Sequence, residues 1–147
     1  MIFGWSVMSE QRATVDSEPA APAAIVLIVE DEILVRLSSA EHLREAGFEV
    51  LEANSADEAL EVLKRFHVDV VFSDVTMPGR IDGLGLTRWV QEHRPAVKTI
   101  VTSGSEEAVM NVGGYDVFLS KPYRLVDLDY CLQKVFASAK ELPRTLG

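Results

Sequence analysis

Four short apolar runs, each stopping at a polar cluster, constrain this chain more than any other feature. Ile25-Val-Leu-Ile-Val29 stops at Glu30-Asp31-Glu32, and Val68-Asp-Val-Val-Phe-Ser73 stops at Asp74. Thr99-Ile-Val101 runs into Thr102-Ser103-Gly104, and Asp116-Val-Phe-Leu-Ser120 into Lys121-Pro122. In an open parallel α/β sheet the carboxyl ends of the strands share one edge, and ligands bind there. Segments far apart in sequence would then bring two or three carboxylates, a hydroxyl and an amine to one spot. That set suits a hard divalent cation and a phosphoryl group.

The remaining pattern supplies such a sheet. Strand-like runs lie near 25–29, 48–53, 68–73, 97–102 and 115–119, with helical periodicity between them. Ile33, Leu37, Ala40 and Leu43 share one helical face, and Gly47 stands at its C-terminal cap position. Ser55 and Glu58 form a capping box ahead of Ala59, Leu60, Leu63 and Phe66. A third helix spans Gly83 to His93 and is stopped by Pro95. A short fourth covers Glu106 to Val112, and a fifth carries Leu125, Leu128, Leu132 and Val135 on one stripe. Five βα units predict a doubly wound parallel sheet with helices on both faces.

At 147 residues this is one domain. Residues 1–24, rich in Pro and Ala, read as a flexible leader, with Met8 an alternative start. The domain runs from 25 to 138, and 139–147 forms a tail. A net charge of −9 argues against nucleic-acid and membrane surfaces, which call for basic patches. No apolar run approaches a membrane span, and no Lys or Arg precedes the mildly apolar Met1–Met8 stretch. The single Cys131 excludes an internal disulfide and reads as a packed helix residue. These features point to the cytoplasm.

Carboxylates about 5 Å apart repel by roughly 3 kcal/mol per pair at an effective dielectric near 20. A cluster of Glu30, Asp31 and Asp74 therefore needs neutralising, by Lys121 and by a cation such as Mg²⁺, which takes six oxygens and commonly one or two carboxylates. Rival chemistries lack their motifs. There is no G-x-x-x-x-G-K-[ST] loop, no G-x-G-x-x-G after a strand and no G-x-S-x-G elbow. His42, His67 and His93 have no metal-ligand spacing and read as surface residues, while Phe72 and Trp89 read as core.

Val-Leu-Ile-Val-Glu30-Asp31-Glu32, Val-Val-Phe-Ser-Asp74-Val-Thr-Met-Pro78-Gly, Asp82-Gly83, Ile-Val-Thr102-Ser103-Gly104 and Phe118-Leu-Ser-Lys121-Pro122 together resemble the receiver domain of bacterial two-component response regulators, over about residues 25–138. The resemblance implies a flavodoxin-like fold, five strands in the order 2-1-3-4-5 flanked by five helices. It makes Asp74 the phosphoacceptor and Asp31 a direct Mg²⁺ ligand, with Glu30 acting largely through water and the Thr76 carbonyl as a further ligand. Mn²⁺ would substitute. Lys121 would pair with phosphoryl oxygens and form a cis peptide with Pro122. Thr102 would bond the phosphoryl group, and Phe118 occupies the aromatic switch position.

Three departures from the family pattern stand out. The loop Met77–Ile81 holds one residue more than usual and should bulge. The stretch from Thr102 to Lys121 is about one helical turn short. The third is an expected lack of any output module after the fifth helix. The expectation is a stand-alone response regulator, a phosphoacceptor signalling protein rather than a turnover enzyme, which catalyses its own phosphorylation and dephosphorylation. Its donor would be a sensor histidine kinase or a histidine phosphotransfer protein. It would serve as phosphorelay shuttle, sink or adaptor, signalling through a protein target or a homodimer made by the fourth and fifth βα units, near Val109, Met110, Phe118 and Tyr123. The alternatives are a pseudo-receiver that is never phosphorylated, or a Mg²⁺-dependent phosphatase. The latter usually has a second acid two residues after its nucleophile, and Thr76 stands there.

Overall fold

The computed structural model describes residues 22–110 and 113–146, with the backbone alone for Ala108 and for 138–146. Expectations for residues 1–21, and for a fourth helix reaching Val112, lie outside the described residues. Five strands alternate with five helices: β1 (Ile25–Val29), α1 (Ile33–Glu45), β2 (Glu49–Ala53), α2 (Ala56–Arg65), β3 (Val70–Asp74), α3 (Gly83–His93), β4 (Lys98–Ser103), α4 (Glu106–Met110), β5 (Val117–Ser120) and α5 (Leu125–Leu146). Four of the helices are long, and α4 is little more than one turn. Residues 139–146, expected as a tail, continue the α5 backbone.

All strands are parallel, in the order β2-β1-β3-β4-β5. β1 and β3 are buried along nearly their whole length, as central strands covered on both faces must be. Alternation divides their side chains between two cores. Val26, Ile28, Val70, Phe72 and Ile100 pack with Ala40 and Leu43 of α1 and with Leu128, Leu132 and Val135 of α5. Leu27, Val29 and Val71 pack with Ala59 and Leu63 of α2 and Leu86 and Val90 of α3. Val101 meets Val75 and Val109 beneath α4, so Val109 is core, not part of an exposed signalling face.

Helix ends follow their local chemistry. The Gly47 N–H donates to the Arg44 carbonyl and the Phe48 N–H to the Leu43 carbonyl, both at 3.0 Å, with Gly47 at φ 101°. This is a Schellman cap, which favours glycine. Ser55 Oγ accepts from the Glu58 N–H at 3.1 Å. Glu58 reaches back one residue further than a standard capping box, to the Asn54 N–H at 2.6 Å. Asp82 Oδ1 caps α3 by accepting from the Gly85 N–H at 2.9 Å.

Three placements correct the sequence reading. Ile33 and Leu37 are 57% and 46% exposed, because α1 turns Ser39, Ala40 and Leu43 towards the sheet. Phe66 is exposed, since the chain leaves helical geometry there at φ −127° and ψ 150°. His42 is not a free surface residue; half-buried, its Nε2 lies 2.8 Å from Asp129 Oδ1 and ties α1 to α5.

The loop from β3 into α3 folds tightly over the strand end. The Gly83 N–H donates to the Val75 carbonyl at 3.0 Å. A Cβ at Gly83 would collide with the Asp74 carbonyl oxygen and the Val75 Cα. Gly83→Ala should therefore cost about 1–3 kcal/mol by overpacking. Gly104→Ala, where a Cβ meets nothing within 4 Å, should change stability little. Urea unfolding of both variants checks this; equal losses would contradict the close approach.

Candidate functional site

The site is the next layer of one sheet face. Ile28, Phe72 and Ile100 are register partners across β1, β3 and β4, all on the α1/α5 side. Two residues on along each chain stand Glu30, Asp74 and Thr102, which the period-2 pleat returns to the same side. On β5, Leu119 pairs with Thr102, and Lys121 lies two residues beyond it. The apolar layer thus gives way to a polar one as the strands end.

Glu30 and Asp74 are 4% and 7% exposed, while the Asp31 carboxylate is exposed. One carboxylate oxygen from each of Glu30, Asp31 and Asp74 lies within 4.8 Å of the others. Lys121 Nζ donates to Asp74 Oδ2 at 2.7 Å and stands 4.0 Å from Glu30 Oε1. The Glu32 N–H donates to Glu30 Oε2 at 3.1 Å, so Glu32 contributes its backbone there. The Thr76 N–H donates to Asp74 Oδ1 at 3.2 Å, with Thr76 itself exposed. Lys121-Pro122 is cis, as expected. Thr102 Oγ1 is buried with no hydrogen-bond partner among the described residues. Such an atom is costly to leave unsatisfied. Phe118 is half-buried and packs with Tyr115 against the Val75–Val101–Val109 cluster.

Electrostatics follow from this crowding. Burial raises the Glu30 carboxyl above the usual range and the Asp74 charge adds to it, against the Glu32 N–H and Lys121. For Lys121, burial pulls down, but the hydrogen bond and charge of Asp74, then the Glu30 charge, outweigh it and the amine is raised. Glu30 therefore contributes stability below its unfolded pKa and loses it as pH rises through the folded one. The Lys121 contribution likewise holds below the unfolded lysine pKa and is lost as pH rises through its raised value. Burial also raises the Tyr123 phenol, whose oxygen lies 3.4 Å from Ser39 Oγ.

Three carboxylates and one ammonium leave an excess of negative charge among hard oxygen donors. That donor set fits a small divalent cation, and the unsatisfied Thr102 hydroxyl fits an additional acceptor-rich ligand.

Some residues at this edge gave no sequence signal of their role. Arg36 donates to the Glu30 carbonyl at 2.8 Å. Asp57 Oδ2 accepts from the Arg80 N–H at 3.3 Å, holding the enlarged loop at Gly79, where φ is 125°. The spacing of Arg36, six residues after Glu30 at the end of β1, does not by itself point to a role.

Lys121→Met should leave the three carboxylates facing one another. Metal-free stability should fall by about 1–3 kcal/mol, and Mg²⁺ affinity should rise as a competing charge is removed. Urea unfolding without Mg²⁺ and calorimetric titration with it measure the two effects. Unchanged stability together with weaker Mg²⁺ binding would contradict the charge balance described.

The response regulator receiver domain family model matches residues 26–133. The transcriptional regulatory protein PdtaR of Mycobacterium tuberculosis is 33% identical over 138 residues, covering 91% of this chain and 66% of that protein. The chain thus spans just under two thirds of that relative's length. The polar-differentiation response regulator DivK of Brucella abortus is 31% identical over 104 residues, covering 66% of this chain and 83% of that one. Among solved structures, the response regulator TrrA of Thermotoga maritima, in complex with Mg²⁺-BeF, superposes with a TM-score of 0.69 at 26% identity, covering 76% of this chain and 97% of that one. A family model spanning most of the chain agrees with the 2-1-3-4-5 sheet and its acidic edge: the chain belongs to the response regulator receiver domain family.

Proposed function

We propose that this protein is a phosphoacceptor response regulator in which Asp74 takes the phosphoryl group. The observation that carries the reading is the 2.7 Å contact of Lys121 Nζ with Asp74 Oδ2 inside a three-carboxylate cluster. A carboxylate oxygen of Asp74 attacks the phosphorus of a phosphohistidine on a sensor kinase or phosphotransfer protein. The P–N bond breaks as the acyl phosphate forms, and the imidazole leaves. Transfer of this kind passes through a loose transition state, so alignment and charge neutralisation do most of the catalysis. Lys121 is placed to follow the charge from the carboxylate onto the transferred oxygens. The Thr102 hydroxyl, in register with Asp74, is placed to donate to one of them.

Glu30, Asp31 and Asp74, together with the Thr76 carbonyl, would hold Mg²⁺ or Mn²⁺. When bound, the ion supplies neutralisation of charge on the phosphoryl oxygens. The TrrA structure with Mg²⁺-BeF supports this reading for a relative of the same fold.

The product adds negative charge and strong acceptors at Asp74. A shift of Thr102 towards it would move β4 next to Val101, the register partner of the half-buried Phe118, and the output would leave through β5 and the exposed Met110 of α4. The readout is then a protein target or a second copy, with the protein acting as shuttle, sink or adaptor in the cytoplasm. No helix among the described residues is long and apolar enough to cross a membrane. A phosphatase is disfavoured because Thr76, not an acid, follows Asp74 by two residues.

Intact mass after incubation with acetyl phosphate and Mg²⁺ tests the assignment. Wild type should gain one phosphoryl group and Asp74→Asn none. Sedimentation of the labelled and unlabelled samples reads out any dimer. Equal labelling of both proteins would remove Asp74 from the role, and no labelling of wild type would favour the pseudo-receiver.

A further inference from the structure

The turn that carries Glu30 and Asp31 is gripped from outside the acidic cluster. Arg36 Nη1 donates to the Glu30 carbonyl at 2.8 Å, and Arg36 Nε donates to Glu52 Oε1 at 3.1 Å. The Arg36 side chain is only 15% exposed. Glu52, on the edge strand β2, also accepts from Arg44 Nη2 at 3.2 Å, and the same nitrogen donates to the Val50 carbonyl at 3.0 Å. From its other side, the Glu30 N–H donates to the Ala53 carbonyl at 3.0 Å. Glu30 is thus held at both backbone groups.

This has a consequence for Asp31. Asp31 is exposed, so the core does not hold its side chain, and the side-chain groups recorded near it are the Glu30 and Asp74 carboxylates. What the fold fixes is the backbone that carries it, because the preceding peptide unit is planar and rigid. Pinning the Glu30 carbonyl orients that unit, and with it the start of Asp31.

We infer that Arg36 is a positioning residue for the cation site, acting on Asp31 and Glu30 through the Glu30 carbonyl and itself anchored by Glu52. The inference rests on the reading of Glu30 and Asp31 as cation ligands. Its sign separates it from simple electrostatics. Arg36 is a cation beside an acidic pocket, so through charge alone its removal would tighten binding of another cation. Through the turn, its removal loosens a coordination shell that Mg²⁺ requires to be near octahedral, and binding weakens. Partners that orient metal ligands commonly change affinity by about tenfold or more when removed.

The experiment is calorimetric titration of Mg²⁺ into the full chain, wild type against Arg36→Gln and Arg36→Lys, each well below its melting temperature. Arg36→Gln should bind Mg²⁺ about tenfold more weakly. Arg36→Lys keeps the charge but cannot span Glu52 and the Glu30 carbonyl in the same forked way, so it should weaken binding by a smaller factor. A merely structural arginine would lower the melting temperature and leave the dissociation constant of the folded protein unchanged. Unchanged or tighter binding in Arg36→Gln would overturn the proposal. Should that variant fail to fold, Arg36→Lys decides alone, because equal charge predicts equal affinity unless position matters. A wild type that binds no Mg²⁺ would instead sink the cation reading, and this inference with it.

Discussion

Three carboxylates at the end of a parallel sheet repel one another, and the ammonium of Lys121 is what the rest of this edge is arranged around. It joins Asp74 at 2.7 Å across 47 residues of sequence, and it stands 4.0 Å from Glu30. Neither acid can escape to solvent, because both are buried at the tops of central strands. One positive charge does not balance them. Fold stability and cation binding therefore draw on the same imbalance: the groups that strain the metal-free protein are those that would ligate an ion. Sites that rely on fixed charges aimed at a reacting group gain from such preorganisation.

The sheet makes this possible through register alone. Ile28, Phe72 and Ile100 form one apolar layer, and a step of two residues along each strand converts it to Glu30, Asp74 and Thr102. A slip of one residue in β1 would turn Glu30 to the other face and break the cluster. The apolar core thereby fixes the polar site: the hydrophobic residues that choose the register also choose which carboxylates meet. Arg36 and Glu52 add a clamp on the outer side, and Asp57 adds one on the loop after β3.

Much of this was legible in the residues. Apolar runs ending on acids, Thr and Lys marked the strand ends to within about two residues, a usual margin for such boundaries, and the Gly47 and Ser55 caps fell where their chemistry placed them. What escaped was whatever depended on how a helix is rotated against the sheet. Ile33 and Leu37 matched an apolar stripe, yet α1 buries Ser39 and most of Arg36, each of which finds a polar partner there. Periodicity counts hydrophobic residues and cannot see that a buried arginine is satisfied. His42 was misread for the same reason, since its partner Asp129 lies 87 residues away. Val109 stands near the expected contact face yet is core, while Met110 beside it is exposed; a helix of five residues is too short for periodicity to tell the two apart.

The central claim is that the same charges destabilise the metal-free edge and bind a divalent cation. It is tested most directly by the unfolding free energy of wild type and Asp31→Asn in urea, measured over a range of Mg²⁺ concentrations at fixed ionic strength. Binding to the native state alone should raise the stability of wild type with the logarithm of Mg²⁺ once the site fills, by about 1.4 kcal/mol per tenfold increase. The Asp31→Asn curve should be nearly flat over the same range. A wild type whose stability ignores Mg²⁺, or a variant that responds as strongly as wild type, would contradict the account.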